Sequence, residues 1–354
     1  MPNLTISVII PTYNRAHVVG RAVRSALAET LPGDEILVVD DGSADGTEGV
    51  IREFNHPRIR FIRQANAGAG AARNRGTQEA GKDLVAYLDS DDEWLPGKIA
   101  LQRRFMENQP DVLFCFTDFA REYGGKRHNR SIRFWHTDSR PWEQILGPAH
   151  FYSTVAKLPE NVADFAFYRG RIYRGEMHTN YILTSCMIAR RREAGDALHF
   201  TEGVKTFEDW ECFGRLARRG TAGFLDCETA VQFAHPGPRL TDSGLLACSE
   251  SRLIVLAQVW GADPEFMALY GEEYRTLVRE QRLNRIRGLL AIGNIREARM
   301  EMSDMSDVPV TYRALCRIPS GSLTSLILTS LMKLRSATRA RLISAARTSH
   351  LEQG

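Results

Sequence analysis

Leu84-Val85-Ala86-Tyr87-Leu88-Asp89-Ser90-Asp91-Asp92 is an apolar run that stops abruptly on acids. Five uncharged residues fit a buried strand, and the polar cluster fits the turn that ends it. The pattern recurs upstream. Ile36 to Val39 is halted by Asp40-Asp41-Gly42-Ser43, and the β-branched run Ile6 to Ile10 ends at Pro11 and Asn14. Between these runs, Val18, Val19, Ala22, Val23, Ala26 and Leu27 recur at helical spacing, with Arg21, Arg24 and Glu29 on the polar side. Val50, Ile51 and Phe54 suit a short helix before a third strand near Ile59 to Ile62, and a Gly/Ala/Asn-rich turn at Asn66 to Gly70 leads into a helix through Ala80. Strands alternating with helices imply a mostly parallel sheet covered on both faces, which binds ligands beyond the carboxyl ends of its strands. Asn14, Asp41 and Asp89 each follow a different strand and are expected to converge on one crevice.

Farther along, the spacing predicts a helix starting near Trp94 to Lys98 and a strand from Val112 to Phe116. From Arg121 to about Tyr181 the periodicity lapses. Five Arg or Lys residues between Arg121 and Arg133 accompany His128 there, and Phe134, Trp135, Trp142, Phe151 and Tyr152 follow. Such a surface suits a sugar ring or a phosphate, although aromatics more often fill cores and bases more often face water. Tyr181 to Ile188 reads as a strand, Phe207 to Arg219 as a helix, and the chain beyond Thr241 as mainly helical. Leu323 to Leu334 is too short to span a bilayer, which needs about 20 apolar residues.

Composition narrows the function classes. Of 354 residues, 43% are hydrophobic and 25% charged, ordinary for a globular protein. The formal net charge of +3 gives no global field marking a nucleic-acid binder, so no nucleic-acid partner is expected. The cysteines are dispersed without a C-x-x-C pair, which argues against a zinc site or disulfide scaffold. With no basic and apolar leader after Met1, the expectation is a cytoplasmic protein. Lys333, Arg335, Arg339, Arg341 and Arg347, interleaved with Leu and Ile, would suit peripheral contact with the inner face of an anionic membrane, or equally a solvated helix.

Two carboxylates two residues apart at a strand end, Asp89 and Asp91, can aim at one hard cation that also binds phosphate oxygens, so Mn2+ or Mg2+ is the expected cofactor. Alone, a short acidic cluster is more often a solvated turn. Its company changes that reading. Ser7-Val8-Ile9-Ile10-Pro11-Thr12-Tyr13-Asn14-Arg15, Val38-Val39-Asp40-Asp41-Gly42-Ser43, Asn66-Ala67-Gly68 with Ala72-Arg73-Asn74-Arg75-Gly76, the Leu88–Asp92 block and Phe207-Glu208-Asp209-Trp210 occur in order. Together they resemble the family 2 glycosyltransferases of the GT-A fold, closely over residues 5–100 and again near 180–220.

The resemblance implies an α/β, GT-A-like, Rossmann-type domain over 1–235, with a nucleotide-sugar half (1–118) and an acceptor half (119–235). A helical region over 236–354 would follow, suited to homo-oligomerisation or membrane-surface contact. It further implies an inverting, metal-dependent transferase that moves a sugar from a nucleotide-diphosphate donor, a UDP-sugar by family frequency, to a hydroxyl of a glycan or lipid-linked acceptor in bacterial surface polysaccharide synthesis. Pro11, Tyr13, Asn14 and Asp41 would border the nucleotide, Asp41 accepting a base hydrogen bond. Arg73 would face the diphosphate. Asp91 would bind the metal, Asp89 the ribose or the ion, and His235 would approach from a later loop. Asp209 would be the catalytic base, supported by Glu208; without the resemblance both read as charges favouring a helix start. A non-catalytic nucleotide-sugar-binding protein and a nucleotidyltransferase are the rival readings. The second lacks its Gly-rich, Lys-containing N-terminal loop, for Pro11-Thr12-Tyr13-Asn14 stands there.

Overall fold

The computed structural model describes residues 4–135, 138, 140–160, 162–202, 206–233, 244–315 and 317. By its internal contacts the chain divides into two compact units, Met1–Gly237 and Pro238–Gly354.

The first unit opens with β1 (Ile6–Thr12), α1 (Val19–Glu29), β2 (Glu35–Asp40), α2 (Thr47–Glu53), β3 (Ile59–Arg63), α3 (Ala69–Glu79) and β4 (Leu84–Tyr87). All seven residues of β1 are buried, as are all but the first of β2, which is why these strands read as unbroken apolar runs and not as alternation. β1 pairs in parallel with β2 and β4, and β2 pairs in parallel with β3. α3 lies so close to this sheet that a Cβ at Gly76 would collide with Ile9. Glycine in that helix is therefore a packing requirement, and it fixes the height at which Arg73 leaves the same helix.

Then follow β5 (Asp92–Trp94), α4 (Lys98–Asn108), β6 (Val112–Tyr123), β7 (Lys126–His128), α5 (Ile132–Trp135), α6 (Trp142–Leu146), β8 (His150–Phe151), β9 (Ala166–Gly170), α7 (Tyr173–His178), β10 (Ile188–Arg190), α8 (Arg191–Ala194), α9 (Glu208–Arg219) and β11 (Thr221–Phe233). Among the described residues the strands form one eleven-stranded sheet in the order β3-β2-β1-β4-β10-β6-β11-β9-β8, with β5 on β11 and β7 on β6. β10 runs antiparallel to β4 and β6, so β6 is again parallel to the first four strands, and β11 is parallel to β6. The carboxyl ends of β1, β2, β4, β6 and β11 thus share one edge.

One expectation is narrowed and two change. The helix expected to start near Trp94 to Lys98 begins at Lys98, after Gly97 turns the chain at φ +90°, while Trp94 sits in β5, paired across to Ala230. The strand expected over Tyr181–Ile188 is instead a 3₁₀ turn, Thr184–Cys186, followed by the short β10. β6 runs on past Phe116 to Tyr123, because β11 continues to pair with it to Glu122 and β7 pairs with its last residues.

The second unit is helical: α10 (Leu245–Leu256), α11 (Pro264–Ala291), α12 (Ile295–Ser303) and α13 (Val310–Leu315). Asp263 caps α11 by accepting the Phe266 N–H, with Pro264 at the first helical position, as helix starts prefer. Leu283, Ile286, Leu289 and Leu290 of α11 pack with Ala298, Met302, Tyr312 and Leu315 into its core. Among the described residues no helix is long and apolar enough to cross a membrane.

Candidate active site

The acid turn after β4 is built by residues outside it. Ser185, fully buried in the 3₁₀ turn, accepts the Asp89 backbone N–H on its Oγ at 3.1 Å and donates that hydroxyl to Asp92 Oδ2 at 2.6 Å. Its carbonyl also takes the Trp94 indole N–H at 2.7 Å. From the other side, Arg21 donates to the Asp91 carbonyl at 2.6 Å while its guanidinium lies 3.6 Å over the Phe233 ring. The turn is pinned at both ends. Asp92 is turned inward at 1% exposure, whereas Asp89 and Asp91 remain partly exposed.

A second construction begins at β2. The Asp40 carboxylate accepts the Ser43 N–H at 3.1 Å and the Ser43 hydroxyl. Asp41 accepts from Gln64 Nε2 at 2.8 Å, Ala67 N at 3.0 Å and Gly68 N at 2.7 Å. Asp41 therefore ties down the loop that feeds α3, and Gly68, at φ +96°, adopts a backbone that glycine tolerates best. Five residues on, Arg73 emerges and is buried. It donates from Nη2 to Asp89 Oδ1 at 2.7 Å and from Nη1 to Glu208 Oε1 at 3.0 Å, with its guanidinium 5.2 Å from the Phe200 ring centroid. Burial opposes the charge on Arg73, but the carboxylates of Asp89 and Glu208 outweigh it and raise its pKa. Asn74, the next residue, exchanges two 2.8 Å hydrogen bonds with the Phe200 backbone and so docks that segment on α3.

α9 supplies the third part. Phe207, just before it, has φ +69°, unusual for a bulky residue and a sign of local strain. Glu208 and Asp209 follow in the first turn, where the helix dipole favours negative charge. Glu208 is taken up by Arg73. Asp209 accepts the Trp210 N–H on Oδ1 at 2.7 Å and the Asn180 side-chain N–H on Oδ2 at 3.2 Å. Burial, and then the neighbouring Glu208 charge, push the Asp209 carboxyl up to about 7, against the pull of Arg73. Beneath it Glu176 is fully buried; burial, reinforced by Asp209, raises its pKa well above the carboxylate range.

The structure therefore brings Arg73, Asp89, Glu208 and Asp209 into one cluster from α3, the β4 turn and α9. Pro11, Tyr13, Asn14 and Asp41 form a second group at the ends of β1 and β2. There the Asn14 N–H bonds to Ser43 Oγ at 2.8 Å, its Oδ1 accepts the Ala44 N–H at 2.8 Å, and Tyr13 is 46% exposed. Pro11 is buried beneath them. Loop 64–68 and the start of α3 connect the groups. His235 and the basic C-terminal segment lie outside the described residues. Among the described residues, no group of three or more His, Cys, Asp or Glu side chains could hold a metal ion by itself. A hard cation would fit only in the mode that uses one or two carboxylates beside phosphate oxygens and water. Ser185, Asn180, Glu176 and Arg21 were not legible as site residues, because each acquires its place through contacts distant in sequence.

Comparison with known proteins gives three findings. The family model described as "Glycosyl transferase family 2" matches residues 7–194, so Glu208 and Asp209 fall beyond the matched stretch. Among curated relatives, an uncharacterized glycosyltransferase of Nostoc (alr2836) is 44% identical over 99 residues, 27% of this chain and 31% of that protein. The Escherichia coli UDP-Glc:alpha-D-GlcNAc-diphosphoundecaprenol beta-1,3-glucosyltransferase WfgD is 36% identical over 107 residues, 30% of this chain and 42% of that one. The chain spans less than half the length of these relatives. Among solved structures, S. aureus TarS 1–349 in complex with UDP-GlcNAc is similar with a TM-score of 0.55 at 17% identity, over 92% of this chain and 89% of that one. That likeness bears out the expected GT-A-like fold: a mostly parallel sheet flanked by helices, followed by a helical region.

Proposed function

This chain belongs to glycosyl transferase family 2, and from that premise we propose that it is an inverting glycosyltransferase moving a sugar from a nucleotide diphosphate to an acceptor hydroxyl. The observation that carries the reading is the Asp89–Arg73–Glu208 bridge with Asp209 held beside it at the carboxyl edge of the sheet. Asp209 is the base: its carboxylate takes the acceptor proton as the acceptor oxygen bonds to the anomeric carbon and the bond to the diphosphate oxygen breaks. A pKa near neutrality matches that task, since a base works best when its pKa lies near the working pH. Arg73 orients Asp89 and Glu208 and stands close to the leaving group. Tyr13, exposed beside Asn14 and Asp41, is the surface on which the base of the nucleotide packs.

Around Arg73 stand three acids, Asp89, Glu208 and Asp209, an excess of negative charge that favours a cation. Asp91 and Asp89 would hold Mn2+ or Mg2+, which supplies Lewis-acid stabilisation of the departing diphosphate. A UDP-sugar is the proposed donor, in keeping with the UDP-Glc of the WfgD name and the UDP-GlcNAc bound to TarS. The proposed acceptor is a glycan or lipid-linked saccharide of bacterial surface polysaccharide, as WfgD's diphosphoundecaprenol substrate suggests.

A screen of nucleotide sugars for protection against heat, with Mn2+, with Mg2+ and with chelator, tests donor and metal together, because a ligand that binds the native state raises apparent stability. A UDP-sugar that raises Tm only with the metal is the expected result. No response to any nucleoside diphosphate sugar would reject the reading.

A further inference from the structure

Asp209 is gripped from the acceptor half of the domain by a residue whose own orientation is fixed. Asn180 lies between α7 and the 3₁₀ turn at Thr184–Cys186 and is 8% exposed. Its Oδ1 accepts the Ile182 N–H at 3.0 Å, which leaves its amide N–H to face Asp209 Oδ2 at 3.2 Å. With the Trp210 N–H on Oδ1 at 2.7 Å, each carboxylate oxygen of Asp209 has one donor, and rotation of the group would break at least one of them. The same stretch is anchored to α9 a second time, through the Trp210 indole N–H to the Glu176 carbonyl at 2.7 Å.

We propose that Asn180 is a positioning residue for Asp209: its amide fixes the plane of the carboxylate and favours the ionised form that accepts the proton. The inference rests on the reading of Asp209 as the base. Among the described residues, the charged and titratable groups around Asp209 are Glu208 and Cys212 from α9 itself, Arg73 from α3, Asp89 from the β4 turn and Glu176 from α7. Of these only Arg73 is cationic. Among the described residues the Asn180 amide thus joins Arg73 and the Trp210 N–H in favouring the carboxylate over the acid. Glu176 adds no competing charge there while it stays protonated, its Oε1 having no hydrogen-bond partner among the described residues.

The test is an NMR titration of the full-length protein carrying carboxyl-13C aspartate, with Asp209→Asn identifying the resonance. Loss of a hydrogen bond to a charged group, about 1.5–3 kcal/mol, corresponds to roughly one pH unit or more. Asn180→Ala is expected to raise the Asp209 midpoint by about that much. Asn180→Asp, nearly isosteric, is expected to raise it further by placing a second carboxyl against the first, and it serves if the alanine variant folds poorly. A midpoint unmoved in a folded variant overturns the positioning role. Failure of the base reading is separate: it would appear as UDP release from UDP-glucose or UDP-N-acetylglucosamine by Asp209→Asn at the wild-type rate, whatever the titration gives.

Discussion

Asp40–Asp41 at the end of β2 and Glu208–Asp209 at the start of α9 are both adjacent acids in the first unit, and they are held in opposite ways. The β2 pair is satisfied mainly by backbone N–H groups and polar side chains, Ser43 on Asp40 and Gln64, Ala67 and Gly68 on Asp41, with the half-exposed Arg63 more distant at 3.7 Å from Asp40. The α9 pair is held largely by side chains from other elements, Arg73 on Glu208 and Asn180 on Asp209, in a buried setting that raises the proton affinity of Asp209. Carboxylates that accept loop amides shape the chain. Those held by an arginine and an amide leave a charge cluster that a substrate can enter and rearrange. In the proposed function the β2 side accordingly frames the site and the α9 side carries the base.

The difference can be broken at Arg73. Arg73→Ala leaves Asp89 and Glu208 without their shared buried cation, and breaking such a pairing costs about 3–5 kcal/mol. Urea unfolding should show that loss, and a cost no larger than that of an exposed Arg such as Arg52→Ala would refute the central place given to Arg73. Asp41→Ala is the matching change on the other side. It strands the donors of Ala67 and Gly68, for which about 1–3 kcal/mol is expected. Hydrogen exchange should quicken at those two amides while α9 stays protected; equal loosening of both regions would erase the distinction.

The smallest effect expected is at Glu176. Burial raises its folded pKa above the unfolded value, so the folded state binds a proton that the unfolded state releases. The stability associated with that proton is fully present below the unfolded pKa and is lost as pH rises toward the folded one. Glu176→Gln removes the dependence, so its Tm should exceed that of the native chain at pH 8 and approach it near pH 4. A constant difference across that range would mean that Glu176 is ionised in the fold.

Much of the β2 side was readable in the sequence. β1, β2 and β4 are buried at all but one of their residues and end at Thr12, Asp40 and Tyr87, within two residues of Asn14, Asp41 and Asp89, so strand, boundary and polar tip share one contiguous signal. Tyr181–Ile188 misled because its local apolar spacing suits a strand while the acid turn makes demands on Ser185, and the helix start near Trp94 to Lys98 could be placed no more finely because Trp94 is held by distant pairing with β11. Asn180 and Glu176 carried no signal at all. Their meaning comes from Asp209, some thirty positions away along the chain, and only packing of α7 against α9 makes the connection.

The central claim is that Asp209 takes the acceptor proton in a site built to hold a nucleotide sugar. Measuring donor affinity by calorimetry and UDP release by rate on the same Asp209→Asn protein tests it most directly. Unchanged affinity with release slowed by about 10²–10⁴, the usual contribution of a general base, is the predicted outcome. Release at the native rate with affinity intact would contradict it.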